Sequence, residues 1–534
     1  MTRNYLFSKR AVGIVTMALI FIMPTIVSRA NESQWNWDGQ WKLGGHNLNN
    51  TRNQATERYL KPENVASLSP KWVFTTGGDI SATPAVLDGS VYLPDWGGNL
   101  FKINAQTGEQ IWSNTIANYI SDPSIPKAVS RTSPAVEGNK VIIGSLKGAF
   151  LMAINKNTGQ LIWKTKLDSH PNAIITQSPT IYSNRVYVGV SSGEPIESVN
   201  PNYPCCTFRG SMTSVDLTTG KILWKTYTVP DNGGQPGGYS GAPVWGSTPA
   251  IDPKRKLVYI ATGNNYDVPQ RVKDCIVNSS KETQSQCLDP DNHVDAIMAL
   301  DLDTGAIKWS NKLWGYDAFT SACFPGNNPA NCPDPRGDDY DFGQAPMLFT
   351  VKNAGKSRDL VGAAQKSGIF WALNPDTGKV VWSQIVGPGG AFGAQWGSAT
   401  DGKHVYVGNL NINSEEYTLQ PSGETITGGS WSALDAATGK IIWQTADPAG
   451  GNVGAPMTVA NGVVYAGSMA SGSDKNNMYA LSAKTGEILW GFNTAGSVIA
   501  GAAVVNGTVY WGSGYSNYNQ GVANNKLYAF TVFK

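Results

Sequence analysis

The sequence predicts an all-β fold, an eight-bladed β-propeller, on three observations. A Thr-Gly-x-x-x-Trp phrase recurs seven times, ending at Trp112, Trp163, Trp224, Trp309, Trp382, Trp443 and Trp490. Apolar and polar residues alternate on both sides of each phrase, the period of a strand with one buried face. No helical periodicity is sustained beyond residue 30.

Each phrase reads as strand, tight turn, strand. In "LDAATGKIIW" the glycine accepts the positive φ of the turn, Asp435 supplies a side-chain acceptor, and β-branched residues follow. Trp443 then offers a large flat surface for packing between neighbouring sheets. Phrases between the motifs, such as "SPTIYSNRVYVG" and "APMTVANGVVYAGS", read as further hairpins, so each repeat carries four strands. Four-stranded units repeated around an axis make a propeller.

The eighth blade is split across the termini. "KLYAFTVFK" supplies a strand with no Trp after it, and "LSPKWVF" supplies Trp72 with no motif before it. Pairing the two closes the ring and buries its open edge. The repeat overrides the several-domain expectation that 534 residues would raise, and residues 31–534 read as one domain. Whereas 47 residues separate Trp443 from Trp490, 85 separate Trp224 from Trp309 and 73 separate Trp309 from Trp382. The excess is loop, and large loops on a rigid scaffold carry function.

The first thirty residues have their own pattern. Arg3, Lys9 and Arg10 precede an apolar run from Ala11 to Val27, and Ser28-Arg29-Ala30 closes it, which predicts a signal peptide cleaved after Ala30 and a periplasmic or secreted protein. The competing reading is an uncleaved anchor, since the run approaches bilayer length. Pro24 and the Ser28-x-Ala30 pattern favour removal. Cleavage takes away four basic residues and turns 41 Lys+Arg against 39 Asp+Glu into 37 against 39. Neither balance points to nucleic acid or an anionic membrane surface.

Six cysteines in an exported chain favour disulfides over metal ligation. Cys275 and Cys287 are near in sequence, as are Cys323 and Cys332, which leaves the adjacent Cys205 and Cys206 for each other; cross-pairing is the alternative. His46, His170, His293 and His404 are scattered and offer no zinc spacing. There is no serine nucleophile motif, no phosphate loop and no Cys-x-x-Cys-His haem site.

The Trp repeat around eight blades, with "TTGGDISATPAV", "PDWGGNL", "SRTSPAV", "YPCCTFRG", "DDYDFGQAPML" and "GAAQKSGIFWALNPDTG", resembles the quinoprotein alcohol dehydrogenases from about Trp41 to the C-terminus. Within them it is most similar to the polyvinyl-alcohol dehydrogenase branch. The resemblance implies pyrroloquinoline quinone (PQQ) and a Ca²⁺ ion at the propeller axis, and oxidation of an alcohol. It implies Glu194, Asn264 and Asp341 as metal ligands, with Asp341 also the base; Asp338, Asp339 and Glu197 are alternatives close in sequence. Read without the resemblance, each of these is an ordinary loop acid or turn residue.

Trp245 matches the tryptophan on which the quinone stacks, Arg131 the partner of a cofactor carboxylate, and Thr176 a hydroxyl partner. Lys366 stands where methanol-oxidising relatives carry an arginine facing the quinone oxygens, a point charge in place of a fork. Trp396 reads equally as pocket wall or as packing between blades. The Cys205–Cys206 pair matches the compact lid over the quinone, although the methanol-oxidising enzymes carry it one blade earlier. With no haem motif, electrons are expected to leave to a separate acceptor, a cytochrome c or a membrane quinone. The rival classes are a PQQ dehydrogenase for small alcohols or aldoses, and an exported propeller scaffold that binds proteins and catalyses nothing.

Overall fold

The tryptophan of each repeat docks on the next blade, and this contact builds the ring. Seven of the eight rings donate Nε1–H to a backbone carbonyl of the following blade at 2.9–3.1 Å, from Trp112 on Lys156 round to Trp490 on Leu68 and Trp72 on Ala105. Trp382 is buried in the same role without an Nε1 partner. The repeat glycine lies under the ring of the preceding blade: a Cβ added to Gly108 (φ +77°) would fall 2.7 Å from Cδ2 of Trp72. Positive φ and close approach of an aromatic face thus select glycine together.

The computed structural model describes residues 1–2, 39–353, 355–470, 472–518 and 520–533. Apart from residues 1–2, the expected signal segment lies outside the described residues. Residues from 39 onward belong to one compact unit. Among the described residues no helix is long and apolar enough to cross a membrane.

Eight sheets, each with a four-stranded antiparallel core and two of them carrying a short fifth strand, form the blades. The first contains Ala85–Leu87, Ser90–Pro94, Asn99–Asn104 and Gln110–Thr115. Its first strand is wholly buried and its last is half-exposed, the inside-to-outside gradient expected around an axis. The eighth joins Ala503–Val505, Thr508–Gly512 and Lys526–Val532 to the N-terminal strand Leu68–Thr75, with Trp72 opposite Ala529. The split blade is therefore as expected.

Two features were not anticipated. Gln270–Val277 is a two-turn α-helix with Val272 and Ile276 buried, inside the long insertion of the fourth blade. Eight residues are too few to show a period against a loop-rich background. The second is the segment Trp41–Gln54, which runs from blade to blade along the first strands. Trp41 exchanges two backbone hydrogen bonds with Val86 at 2.8 Å, Lys42 accepts from Val136, Leu48 from Ile251, Asn49 from Leu348, Thr51 from Thr400 and Arg52 from Val459. It touches the leading strands of six blades in turn and plugs the axis.

Short turns join the first to the second and the third to the fourth strand of each blade at one end of the ring. All the long connections leave at the other end. The residues singled out from sequence between Arg131 and Trp396 lie in those long connections, except Lys366, which sits at the same end in the short link between Lys356–Ala364 and Ile369–Leu373, so the fold gathers them on one face.

Candidate active site

Asp341, between the fourth and fifth blades, is the hub. Its Oδ1 accepts from the backbone N–H of Asn264 (2.7 Å) and from Nε1–H of Trp245 (3.0 Å); its Oδ2 accepts from Nζ of Lys366 (2.5 Å). A Cβ on Gly263 would fall 1.7 Å from that Oδ1, so only glycine lets the strand end approach. Lys366 also donates to Asp339 at 3.0 Å. Burial alone would raise the Asp341 pKa, but Lys366, Asp339 and the Asn264 N–H outweigh it and hold the carboxyl below its ordinary value. Asp339, also buried, is pushed well above the carboxylate range, because Lys366 does not offset burial and the charges of Asp341 and Asp317. The two buried carboxyls are thus pushed in opposite directions, Asp341 toward its charged form and Asp339 toward its neutral one.

Asn264 donates from Nδ2 to the carbonyls of Asn265 (2.9 Å) and Phe319 (2.8 Å), which fixes its amide plane. Glu194 stands apart from this group. It begins the short helix Glu194–Glu197 and is fully buried. Its oxygens accept from Tyr203 Oη (2.9 Å) and from the backbone N–H groups of Thr207 (2.8 Å) and Phe208 (2.9 Å). Burial raises its pKa, and His170 with these N–H groups reverses the shift to below normal. The disulfide Cys205–Cys206 is formed, as are Cys275–Cys287 and Cys323–Cys332. The loop carrying the first is thus a nest for the Glu194 carboxylate. Of the alternative acids, Glu197 is exposed and Asp338 accepts from Trp314 Nε1 at 3.2 Å.

Arg131 and Thr176 line a cavity on the axis with an empty volume of about 510 Å³, together with Trp396 and hydroxyls such as Thr83 and Ser178. The Arg131 guanidinium lies 4.1 Å over the Trp396 ring. Thr176 Oγ1 donates to the Trp245 carbonyl and shares a hydrogen bond with Ser191 at 2.7 Å. Among the described residues Cys205, Cys206 and the Trp245 ring are not part of this lining. The sequence-predicted residues therefore fall into three neighbouring groups: Asp341 with Lys366, Trp245 and Asn264; Glu194 with the disulfide loop; and Arg131 with Thr176 and Trp396.

Several participants were missed. Arg52, from the axial plug, enters the cavity 3% exposed, held by the carbonyls of Gly44 (2.5 Å) and Met457 (2.7 Å), and burial lowers its pKa to about 9. Asp317 accepts from the N–H groups of Asp339 (3.0 Å) and Tyr340 (2.6 Å), and burial raises it to about 6. Tyr266 is fully buried, its hydroxyl lacks a hydrogen-bond partner, and burial followed by the charges of Asp341, Glu194 and Asp339 raises its pKa. No motif marks these three; only an unusual burial of polar groups reveals them.

The donors suit an anionic quinone and a hard cation. Two arginines, one of them a buried cation with only neutral oxygens around it, and a wall of hydroxyls fit a planar polycarboxylate. Asp341, Asn264 and Glu194 supply oxygen donors of the kind Ca²⁺ takes, around a hydroxyl without a partner. Among the described residues no three acid, His or Cys side chains form a cage by themselves. A cation here would draw on amide and cofactor oxygens as well.

Residues 53–311 and 366–530 match the family model described as outer membrane protein assembly factor BamB. The polyvinylalcohol dehydrogenase of a Pseudomonas species is 30% identical, in an alignment spanning 92% of this chain and 77% of that protein. The chain belongs to the quinoprotein alcohol dehydrogenase family. A second relative in this quinoprotein family, the polyvinylalcohol dehydrogenase of Sphingopyxis sp. (strain 113P3), is 29% identical over 95% of this chain and 78% of its own length. The solved quinohemoprotein alcohol dehydrogenase ADHIIG of Pseudomonas putida HK5 superposes with a TM-score of 0.68 at 19% identity, covering 93% of this chain and 80% of that one, which establishes the shared quinoprotein fold.

Proposed function

We propose that this chain is an exported PQQ- and Ca²⁺-dependent dehydrogenase that oxidises secondary alcohols, polyvinyl alcohol or a related compound, and passes electrons to a separate acceptor such as cytochrome c. Membership in the quinoprotein family makes it an oxidoreductase acting on alcohols. The observation that carries the reading is the buried Asp341 with Lys366, Trp245 and Asn264 on its oxygens. PQQ, polarised by Ca²⁺, supplies the two-electron acceptor when bound.

Asp341 takes the hydroxyl proton of the substrate, the step for which an ionised carboxylate is needed at neutral pH. Lys366 holds that ionisation and presents an ammonium donor beside it. Asp317 fixes the turn that carries Asp339 and Asp341. Trp245 is oriented by its hydrogen bond to Asp341 as the floor for a flat ring, and Arg131, Arg52 and Thr176 face the carboxylates of the cofactor. Glu194 and Asn264 hold the metal. The compact loop of Cys205–Cys206 keeps the Glu194 carboxylate charged and in place.

Asp341→Asn tests the assignment. Turnover should fall by about 10³-fold or more, while the variant still binds PQQ by absorption titration. Retained turnover would remove Asp341 as base. The scaffold alternative draws support from the family model named for an assembly factor. A protein-binding rim has no use for a buried, charge-tuned carboxylate pair on the axis.

A further inference from the structure

Beside the axial site the same face carries a second, larger hollow. It has an empty volume of about 840 Å³ and lies between the long connections of the sixth, seventh and eighth blades. Ser414, Thr427, Asn452 and Gln520 give it hydrogen-bonding side chains, Ile412 and Met469 give it apolar surface, and the rest of the lining is glycine. No charged residue lines it. That chemistry does not suit phosphates, acidic peptides or basic segments. It suits a neutral chain that alternates aliphatic carbon with hydroxyl groups, each hydroxyl both donor and acceptor.

The groove and the axial cavity share one apolar wall. Met469 belongs to an apolar cluster with Leu410, Ile499 and Tyr515, against which Trp96, Phe392 and Trp396 pack. Trp396, Ile499 and Tyr515 also line the axial cavity. Phe392 lies 5.9 Å from Nζ of Lys366, which holds Asp341. The groove is thus separated from the Asp341 group only by this layer of apolar and aromatic side chains.

We propose that this groove is a binding site for the extended chain of a polyhydroxylated aliphatic polymer, one secondary alcohol of which reaches Asp341 while its neighbours occupy the groove. This rests on the proposed oxidation of secondary alcohols and adds a distal subsite to it. The groove holds substrate that is not reacting, so its contribution is to polymer affinity and not to the chemical step.

Thr427 is exposed and its backbone carbonyl, not its side chain, receives the Asn411 hydrogen bond, so Thr427→Trp fills the groove without disturbing the fold. Gln520→Ala removes a polar contact by a gentler change. Retardation of the protein in native gels containing polyvinyl alcohol reads binding without cofactor, and steady-state kinetics on the polymer and on 2,4-pentanediol read turnover in the PQQ- and Ca²⁺-loaded enzyme. The wild-type protein should be retarded and Thr427→Trp should not. Its KM for the polymer should rise about tenfold, with Gln520→Ala intermediate and pentanediol kinetics within about twofold of wild type. Equal effects on polymer and diol, or none on either, would overturn the groove assignment. A wild-type enzyme that oxidises the diol but neither binds nor oxidises the polymer would overturn it while leaving the alcohol dehydrogenase reading intact. Failure to oxidise either substrate, with PQQ bound, would bring down the proposed function itself.

Discussion

Lys366 sets the state of the base, and its effect has a definite sign. A lysine ammonium 2.5 Å from Asp341 and 3.0 Å from Asp339 keeps one of two buried carboxyls charged against the cost of burial. Lys366→Gln removes the attraction, so the Asp341 pKa must rise. Activity requires the ionised form, so the acid limb of the kcat/KM profile should move to higher pH, whereas Lys366→Arg should leave it near the wild-type position. A limb that stays put in Lys366→Gln would separate Lys366 from the base. The sequence marked Asp341 and Lys366 through short phrases that match a known family. Arg52, Asp317 and Tyr266 were not legible, because an acid or arginine in a loop looks the same whether it ends in solvent or in the core.

At the scale of elements, two contacts hold the ring, and each predicts a measurement. Gly108→Ala places a methyl against the Trp72 ring at an unfavourable φ, while Gly89→Ala at similar φ (+69°) meets nothing within 4 Å. Gly89→Ala should cost about 1 kcal/mol from backbone strain alone, and Gly108→Ala about 2–3 kcal/mol in denaturant unfolding. Equal losses would mean that tryptophan docking is slack.

The axial plug predicts a pH effect. Burial, with a smaller contribution from Arg52 and opposed by the Gln40 backbone, lowers the His46 pKa from 6.5 to about 4. A group that protonates more readily unfolded than folded costs stability as pH falls. The loss should begin near pH 6.5, be complete below about 4, and amount to roughly 3 kcal/mol. His46→Asn, a residue that tolerates the positive φ of this position, should flatten that part of the stability profile. An unchanged profile would show that His46 is not buried neutral. The hairpins and their Trp-Gly punctuation were readable from the sequence because they repeat. The plug was not, since Trp41–Gln54 passes from blade to blade, touching six of them over fourteen residues, and so has no period of its own.

For the whole molecule, the repeat fixes the ring, the ring sends its long connections to one face, and the chemistry collects where those connections meet the axis. The split eighth blade was legible because each end lacked what the other had. The division of the site into an Asp341 group, a Glu194 nest and an arginine-lined cavity was not, because it depends on how three loops from different blades fold over one another. In the proposed function these three groups together hold an anionic quinone and a hard cation for alcohol oxidation. The measurement that tests this most directly is an absorption titration of the purified protein with PQQ and Ca²⁺, followed by a secondary alcohol and an artificial electron acceptor. Stoichiometric PQQ binding that requires Ca²⁺, is lost on chelation and restored on readdition, with alcohol-dependent bleaching of the acceptor, is the predicted result. Absence of PQQ binding with Ca²⁺ present and the disulfides intact would contradict it.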